Sequence, residues 1–192
     1  MTHKWEKIAG MIRICTIPPI MAAVLLIMLV GVQTDAFGQK EDYIVAWVGL
    51  VILPLLAYPL SKLIPAVREK GRSGQRKLAF LCSLAGYTMC FFWGLLYTGR
   101  QIKILFYTYF FTVVMLTVFN LILKIRASGH AASAIAPCVW GYVYVNVIAG
   151  CIMGKIFLIS AWASIALKRH KLTDIVAGVF VFAVSYMLAI LL

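Results

Sequence analysis

Charge is scarce in this sequence, and negative charge scarcer still. Only 12% of its 192 residues are charged, against about a quarter in soluble domains. That shortage, with 64% apolar residues and a mean hydropathy of +0.98, excludes both a soluble enzyme and a disordered chain. Long polar linkers are missing as well. Helices of about 20 residues and their loops use nearly the whole length, leaving one integral membrane domain over residues 1–192. Paired cysteines are absent too. Cys15, Cys82, Cys90, Cys138 and Cys151 are odd in number and scattered through apolar segments. Such a pattern excludes a disulfide framework or a zinc site and leaves small hydrophobes packed between helices. No internal repeat or low-complexity tract occurs.

What the sequence has in quantity is apolar runs. Seven stand out: Met11–Val32, Tyr43–Ile64, Leu78–Tyr97, Ile104–Leu123, Ala131–Met153, Ile156–Leu167 and Ile175–Leu192. Lipid offers backbone groups no water, so spanning segments are helices or closed barrels, and unbroken runs without polar alternation choose helices. The fold expected is an all-α polytopic transmembrane bundle of six to seven spans. Ile156–Leu167 is short for a span and is expected to continue through Lys168, Arg169 and His170. Lys4, Lys7 and Arg13 precede a run that reaches Val32, beyond the usual signal core of about 7–15 residues. It reads as a retained first span. Pro18-Pro19, Pro54, Pro59, Pro65 and Pro137 fall in or beside helices; membrane helices tolerate proline, so none marks a function.

The net charge of +12, from 18 Lys+Arg against 6 Asp+Glu, would suggest nucleic acid in a soluble protein. Here the cations gather between apolar runs, so membrane lipids and phosphate-bearing ligands are the expected partners, and nucleic acid is not. The loop Val67–Lys77 holds Arg68, Lys70, Arg72, Arg76 and Lys77, whereas Gln33–Asp42 holds Lys40 with three acids. Basic short loops favour the cytoplasm. That bias assigns the N-terminus, Val67–Lys77, Lys124–His130 and Lys168–Thr173 to the cytoplasmic side and the C-terminus to the outside.

Acids are the most informative inventory. Glu6, Asp35, Glu41, Asp42 and Glu69 precede residue 70, and only Asp174 follows it. Asp174 comes four residues after His170, which on a helix puts both on one face. His3 lies in the charged N-terminal tail. His130 and His170 stand at helix boundaries on the same side, among Lys124, Arg126, Ser128, Lys168, Arg169 and Lys171. This combination points to phosphoryl transfer through histidine. Cations offset charge on the equatorial oxygens of a phosphate, and the free N–H groups of a helix start add to them. Ser128 can cap the helix that follows, and Gly129 lets the backbone approach an anion. An imidazole attacks phosphorus when a carboxylate fixes its tautomer, as Asp174 would for His170. His130 would protonate the departing oxygen.

Plainer readings exist. Val67–Lys77 by itself reads as a topology determinant that meets lipid phosphates. Haem ligation by His130 and His170 leaves the nearby cations and Asp174 without a purpose. A metal held by His130, His170 and Asp174 is opposed by those same cations. A proton-relay transporter would need His170 and Asp174 midway through a span rather than beside Lys168–Lys171.

At these residues the chain resembles the type 2 phosphatidic acid phosphatase (PAP2) family of the vanadium haloperoxidase superfamily. The family's Pro-Ser-Gly-His motif is matched by Ala127-Ser128-Gly129-His130. Its third motif, Ser-Arg, five residues, His, three residues, Asp, is matched by Ala163-Ser164 through His170 to Asp174, followed by Ile175-Val176-Ala177-Gly178. The likeness covers about 55 residues, from Lys124 to Gly178. It implies a metal-independent lipid phosphatase with no cofactor, in which His170 is the nucleophile, Asp174 its orienting partner and His130 the general acid. Ser128 and the Gly129 backbone would bind the phosphate of a phosphorylated lipid. Ser164 stands where the family has its phosphate-binding arginine; Arg169 and Lys168 are candidate replacements, although neither shares the helical face of position 164. The family's first motif, Lys, six residues, Arg-Pro, is absent. Lys124 and Arg126, or Arg72 and Arg76 from the earlier loop, would supply its cations. These departures keep a second function open, a non-catalytic membrane protein that binds anionic lipid or carries a small anion.

Overall fold

The computed structural model describes residues 3–32 and 39–192, and every regular element among them is helical. In chain order these are α1 (His3–Cys15), α2 (Pro18–Val32), α3 (Lys40–Ala46), α4 (Leu53–Leu63), α5 (Pro65–Arg68), α6 (Gly71–Leu96), α7 (Arg100–Thr117), α8 (Gly129–Trp140), α9 (Val147–Ala166) and α10 (Leu172–Leu191). Wider π-helical turns occupy Trp47–Ile52, Val118–Ile122 and Gly141–Val145. Asp35 lies outside the described residues.

Among the described residues, five helical stretches are long and apolar enough to cross a membrane: Lys40–Leu63, Gly71–Leu96, Arg100–Ile122, Val147–Ala166 and Leu172–Leu191; the bent pair α1 and α2 makes a sixth if counted as one. The count is thus five or six, not seven. Large apolar side chains such as Leu121, Ile148, Leu158 and Phe180 are exposed around the outside, a surface suited to lipid and hazardous in water.

Three sequence expectations move. The run Met11–Val32 is not one straight helix, because α1 and α2 meet at an angle of 57°. Pro18 disfavours helical backbone at the residue before it, and Pro18 and Pro19 lack the N–H groups that would bond back into α1. The run Ala131–Met153 breaks at Asn146, whose extended backbone and side-chain oxygen cap the Ala149 N–H and start α9. That leaves α8 too short to count among the spans. Finally, α9 does not continue through His170. The Lys168 N–H bonds the Ile165 carbonyl at 2.8 Å and the Arg169 N–H bonds the Ser164 carbonyl at 3.0 Å, with Lys168 at φ +53°. This is a Schellman stop, normally built on glycine.

Packing brings α8 to the middle, against α2, α9 and α10, while α10 also lies along α7 and α1 lies along α9. Trp140, Phe106, Leu25, Leu26, Leu50 and Val181 are fully buried between these helices. Where the π-helical turn of residues 47–52 crosses α6, Gly49 and Gly86 put backbone against backbone, the close approach that small residues permit in membrane bundles. The end of α1, the end of α4, the start of α6, the start of α8, the end of α9 and the start of α10 share one end of the bundle.

Candidate functional site

Asp174 organises one half of that end. Its Oδ2 accepts the Lys171 N–H at 3.2 Å and lies 3.2 Å from His170 Nδ1 and 3.4 Å from Arg126 Nε. A carboxylate only accepts, so Nδ1 carries the proton of a neutral His170 and Nε2 keeps its lone pair. His170 does not ride on α10, as a shared helical face would require. It sits just before the helix, and Asp174, as its third residue, reaches back over the N-terminal turn. Arg126 also donates to the Arg169 carbonyl at 2.8 Å, so it ties the two loops together around Asp174. Burial first, and then the charges of Arg13 and Arg126, hold His170 below the ordinary histidine range, against the opposing hydrogen bond to Asp174. The ring is therefore neutral at pH 7.

The α8 start is set by neighbours on three sides. Ser128 caps it, accepting the Ala131 N–H at 3.3 Å, and donates its own N–H to the Asp174 carbonyl at 2.8 Å. That contact needs Gly178, because a Cβ there would run into the Ser128 carbonyl. From the other side the Asn120 amide donates to the Ala127 carbonyl and accepts the Ala127 N–H, each at 3.1 Å. Asn120 sits in a π-helical turn, the kind of irregularity that often accompanies function.

His130 Nε2 lies 3.3 Å from the Thr16 hydroxyl, which also bonds the Ile12 carbonyl and Ser160 Oγ, each at 2.9 Å. One turn earlier, Arg13 donates from Nη1 to Ser164 Oγ at 2.6 Å, while Ser164 donates to the Ser160 carbonyl at 2.9 Å. His130 is pushed down to about 3, by burial first, then by the positive charge of Arg13 and by the neighbouring His170, against a backbone hydrogen bond at Arg13. Protonating either imidazole would therefore be felt by the other, and among the described residues no carboxylate attends His130.

The cations separate into two sets. Arg72 and Arg76 from α6 and Arg169 from the α9–α10 loop are close enough for their charges to act on Arg13, as is the Tyr58 hydroxyl of α4. Lys124 and Lys168 occupy left-handed corners, at φ +56° and +53°, and are exposed, as Arg72, Arg76 and Arg169 are. Among the described residues no group of three His, Cys, Asp or Glu side chains could hold a metal ion. Arg13, Thr16, Ser160 and Asn120 have no counterpart among the residues the sequence singles out. The available signal was Pro18-Pro19, which bends the chain just after Arg13 and Thr16 and folds α1 over the site. No family model, curated protein or solved structure matches this chain.

Proposed function

We propose that this protein is a membrane-embedded lipid phosphate phosphatase, working through a phosphohistidine in the manner of the PAP2 family. The observation that carries the reading is the His170–Asp174 contact of 3.2 Å, with a second imidazole within electrostatic range at a cation-rich end of an apolar bundle. His170 Nε2 attacks phosphorus and the bond to the lipid oxygen breaks. His130 in its protonated form hands that oxygen a proton. Water then attacks the phosphohistidine, giving up a proton to the now neutral His130, which yields inorganic phosphate and restores the neutral His170 ring and the protonated His130. Asp174 stabilises the positive imidazole formed on the way. Burial and Arg13 keep His130 neutral at pH 7, so the acid has to be made on binding: the negative charge of the phosphate opposes Arg13 and raises the His130 pKa.

A lipid substrate is favoured over a soluble one by position. A shallow apolar surface formed by Phe119, Leu172, Thr173, Val176, Ala177 and Phe180 lies beside His170 and Asp174, and an acyl or prenyl chain would lie along it while the headgroup meets the cations. Phosphatidic acid and polyprenyl phosphate or diphosphate both satisfy this arrangement. The basic loops put this end at the cytoplasmic face.

The decisive experiment is phosphate release from a panel of lipid phosphates by the purified chain, with His170→Ala alongside. Release by the wild type and none by the variant is expected; equal release by both would sink the proposal. The depressed pKa of His130 favours one rival, a non-catalytic binder of anionic lipid. That rival predicts orthovanadate binding without phosphate release from any member of the panel.

A further inference from the structure

Among the described residues, Arg13 has no counter-ion. Its half-buried guanidinium makes one side-chain hydrogen bond, to the neutral Ser164 hydroxyl, and a guanidinium has five N–H donors to satisfy. The cations that act on it, Arg169, Arg76 and Arg72, outweigh the one opposing group, the neutral Tyr58 hydroxyl of α4. Among the described residues the only ion pairs are those of Asp174 with Arg126 and His170, so no carboxylate neutralises Arg13. A partly buried charge in like-charged surroundings is costly unless something anionic joins it.

The seat beneath it is specific. Ser164 gives its hydroxyl proton to the Ser160 carbonyl, so its lone pairs face the guanidinium. Thr16, three residues on, bonds both Ser160 and His130, which locks the Arg13 turn of α1 to α9 and to the imidazole at once. An anion that satisfies the spare donors of Arg13 therefore also meets His130. A planar fork of donors matches a tetrahedral oxyanion carrying two or more free oxygens.

We propose that Arg13, carried in by α1 and seated on Ser164, is the guanidinium that grips the phosphoryl group, so that the N-terminal helix completes the site. This rests on the phosphatase reading for its substrate but not for its anion. The geometry explains a residue otherwise without purpose: Ser164 is a hydroxyl anchor for an arginine donated by another helix. Arg169 and Lys168, being exposed, need not fill that position.

The test uses the full-length chain in detergent, with two readouts: phosphate release from phosphatidic acid in mixed micelles, and the rise in Tm produced by orthovanadate. Arg13→Ala is expected to lower kcat/KM by about 10²–10³-fold and to erase the vanadate shift. Arg13→Lys should restore part of the vanadate shift and leave KM raised. The double variant Arg13→Ala/Ser164→Arg, which moves the guanidinium from α1 to α9, should regain roughly tenfold or more over Arg13→Ala. A wild-type vanadate shift in Arg13→Ala overturns the proposal whatever its turnover does. Should Arg13→Ala fail to fold, a wild-type KM and vanadate shift in Arg13→Lys would overturn it equally. If the wild type releases no phosphate yet shows an Arg13-dependent vanadate shift, the phosphatase reading fails and the anion grip stands. If vanadate shifts nothing in the wild type, the grip falls.

Discussion

The two ends of this bundle each hold a buried carboxylate, and they treat it in opposite ways. Asp174 accepts a backbone N–H and is paired with His170 and Arg126. Asp42 is as deeply buried, yet among the described residues its one hydrogen bond comes from the Trp93 indole at 2.8 Å, and Oδ2 has no partner. Asp42 and Tyr58 share the long helical stretch 40–63, so a rise of about 1.5 Å per residue separates the two ends by roughly 24 Å. One end gathers cations, imidazoles and hydroxyls around its acid; the other gives its acid a single indole donor. Burial of a carboxylate is thus not what marks the site. A set of partners that fixes a neighbouring imidazole is.

The sharpest way to break that comparison is to neutralise each acid in turn. Asp174→Asn keeps the shape but can present an N–H to His170 and favour the wrong tautomer. A loss of phosphate release of about 10³–10⁴-fold is expected, while Asp42→Asn, far from the site, should keep wild-type turnover. Equal losses in both variants would show that the two carboxylates serve the fold alike. Trp93→Phe removes the Asp42 donor and should cost about 1–3 kcal/mol of stability, read as a lower melting temperature with residual activity unchanged per folded molecule.

Glycines divide the same way. Gly178→Ala drives a methyl into the Ser128 carbonyl, separating α10 from the start of α8. It should destabilise by about 1–3 kcal/mol and lower phosphate release further than that loss explains. Gly10→Ala in α1 meets nothing within 4 Å and should stabilise slightly, by about 0.5–1 kcal/mol. Below these comes Asn120→Ala, which frees the loop before Ser128. A loss of about 1 kcal/mol with roughly tenfold lower turnover is expected, and unchanged turnover would remove Asn120 from the positioning of His130.

How much of this was legible beforehand depended on which residues carried a local signal. Helices could be read because apolar runs in lipid leave the backbone little choice, and Ser128 was readable as a cap because the signal is local. The contact between His170 and Asp174 followed from their spacing, although it forms around a helix start rather than along a face. The stop of α9 was hidden: Lys168 occupies a left-handed position where glycine would have announced it. The break at Asn146 was hidden by apolar residues on both sides. Arg13 and Thr16 were out of reach for another reason. They lie more than a hundred residues from their partners, and only a bend at Pro18-Pro19, in a class of helix where proline is tolerated, brings them there.

The last effect expected is on stability against pH, and it too separates the ends. His170 is held below the ordinary value, and His130 is pushed to about 3. An unfolded chain therefore binds more protons than the folded one wherever pH lies between these values and about 6.5. The stability they contribute is fully present above about 6.5 and is lost as pH falls toward 3. The wild-type melting temperature should decline over that window at low salt. Replacing His130 with Gln, which keeps a hydrogen-bonding group for Thr16 but takes up no proton, should flatten much of the decline, while His3→Gln, in the exposed first turn of α1, should leave it intact. Orthovanadate should shift the decline to higher melting temperatures and make it shallower, because an anion between Arg13 and His130 lets the ring accept its proton in the folded state. A decline as steep in His130→Gln as in the wild type would assign it to groups other than this imidazole, and the site end would then differ from the other in charge but not in how it answers protons.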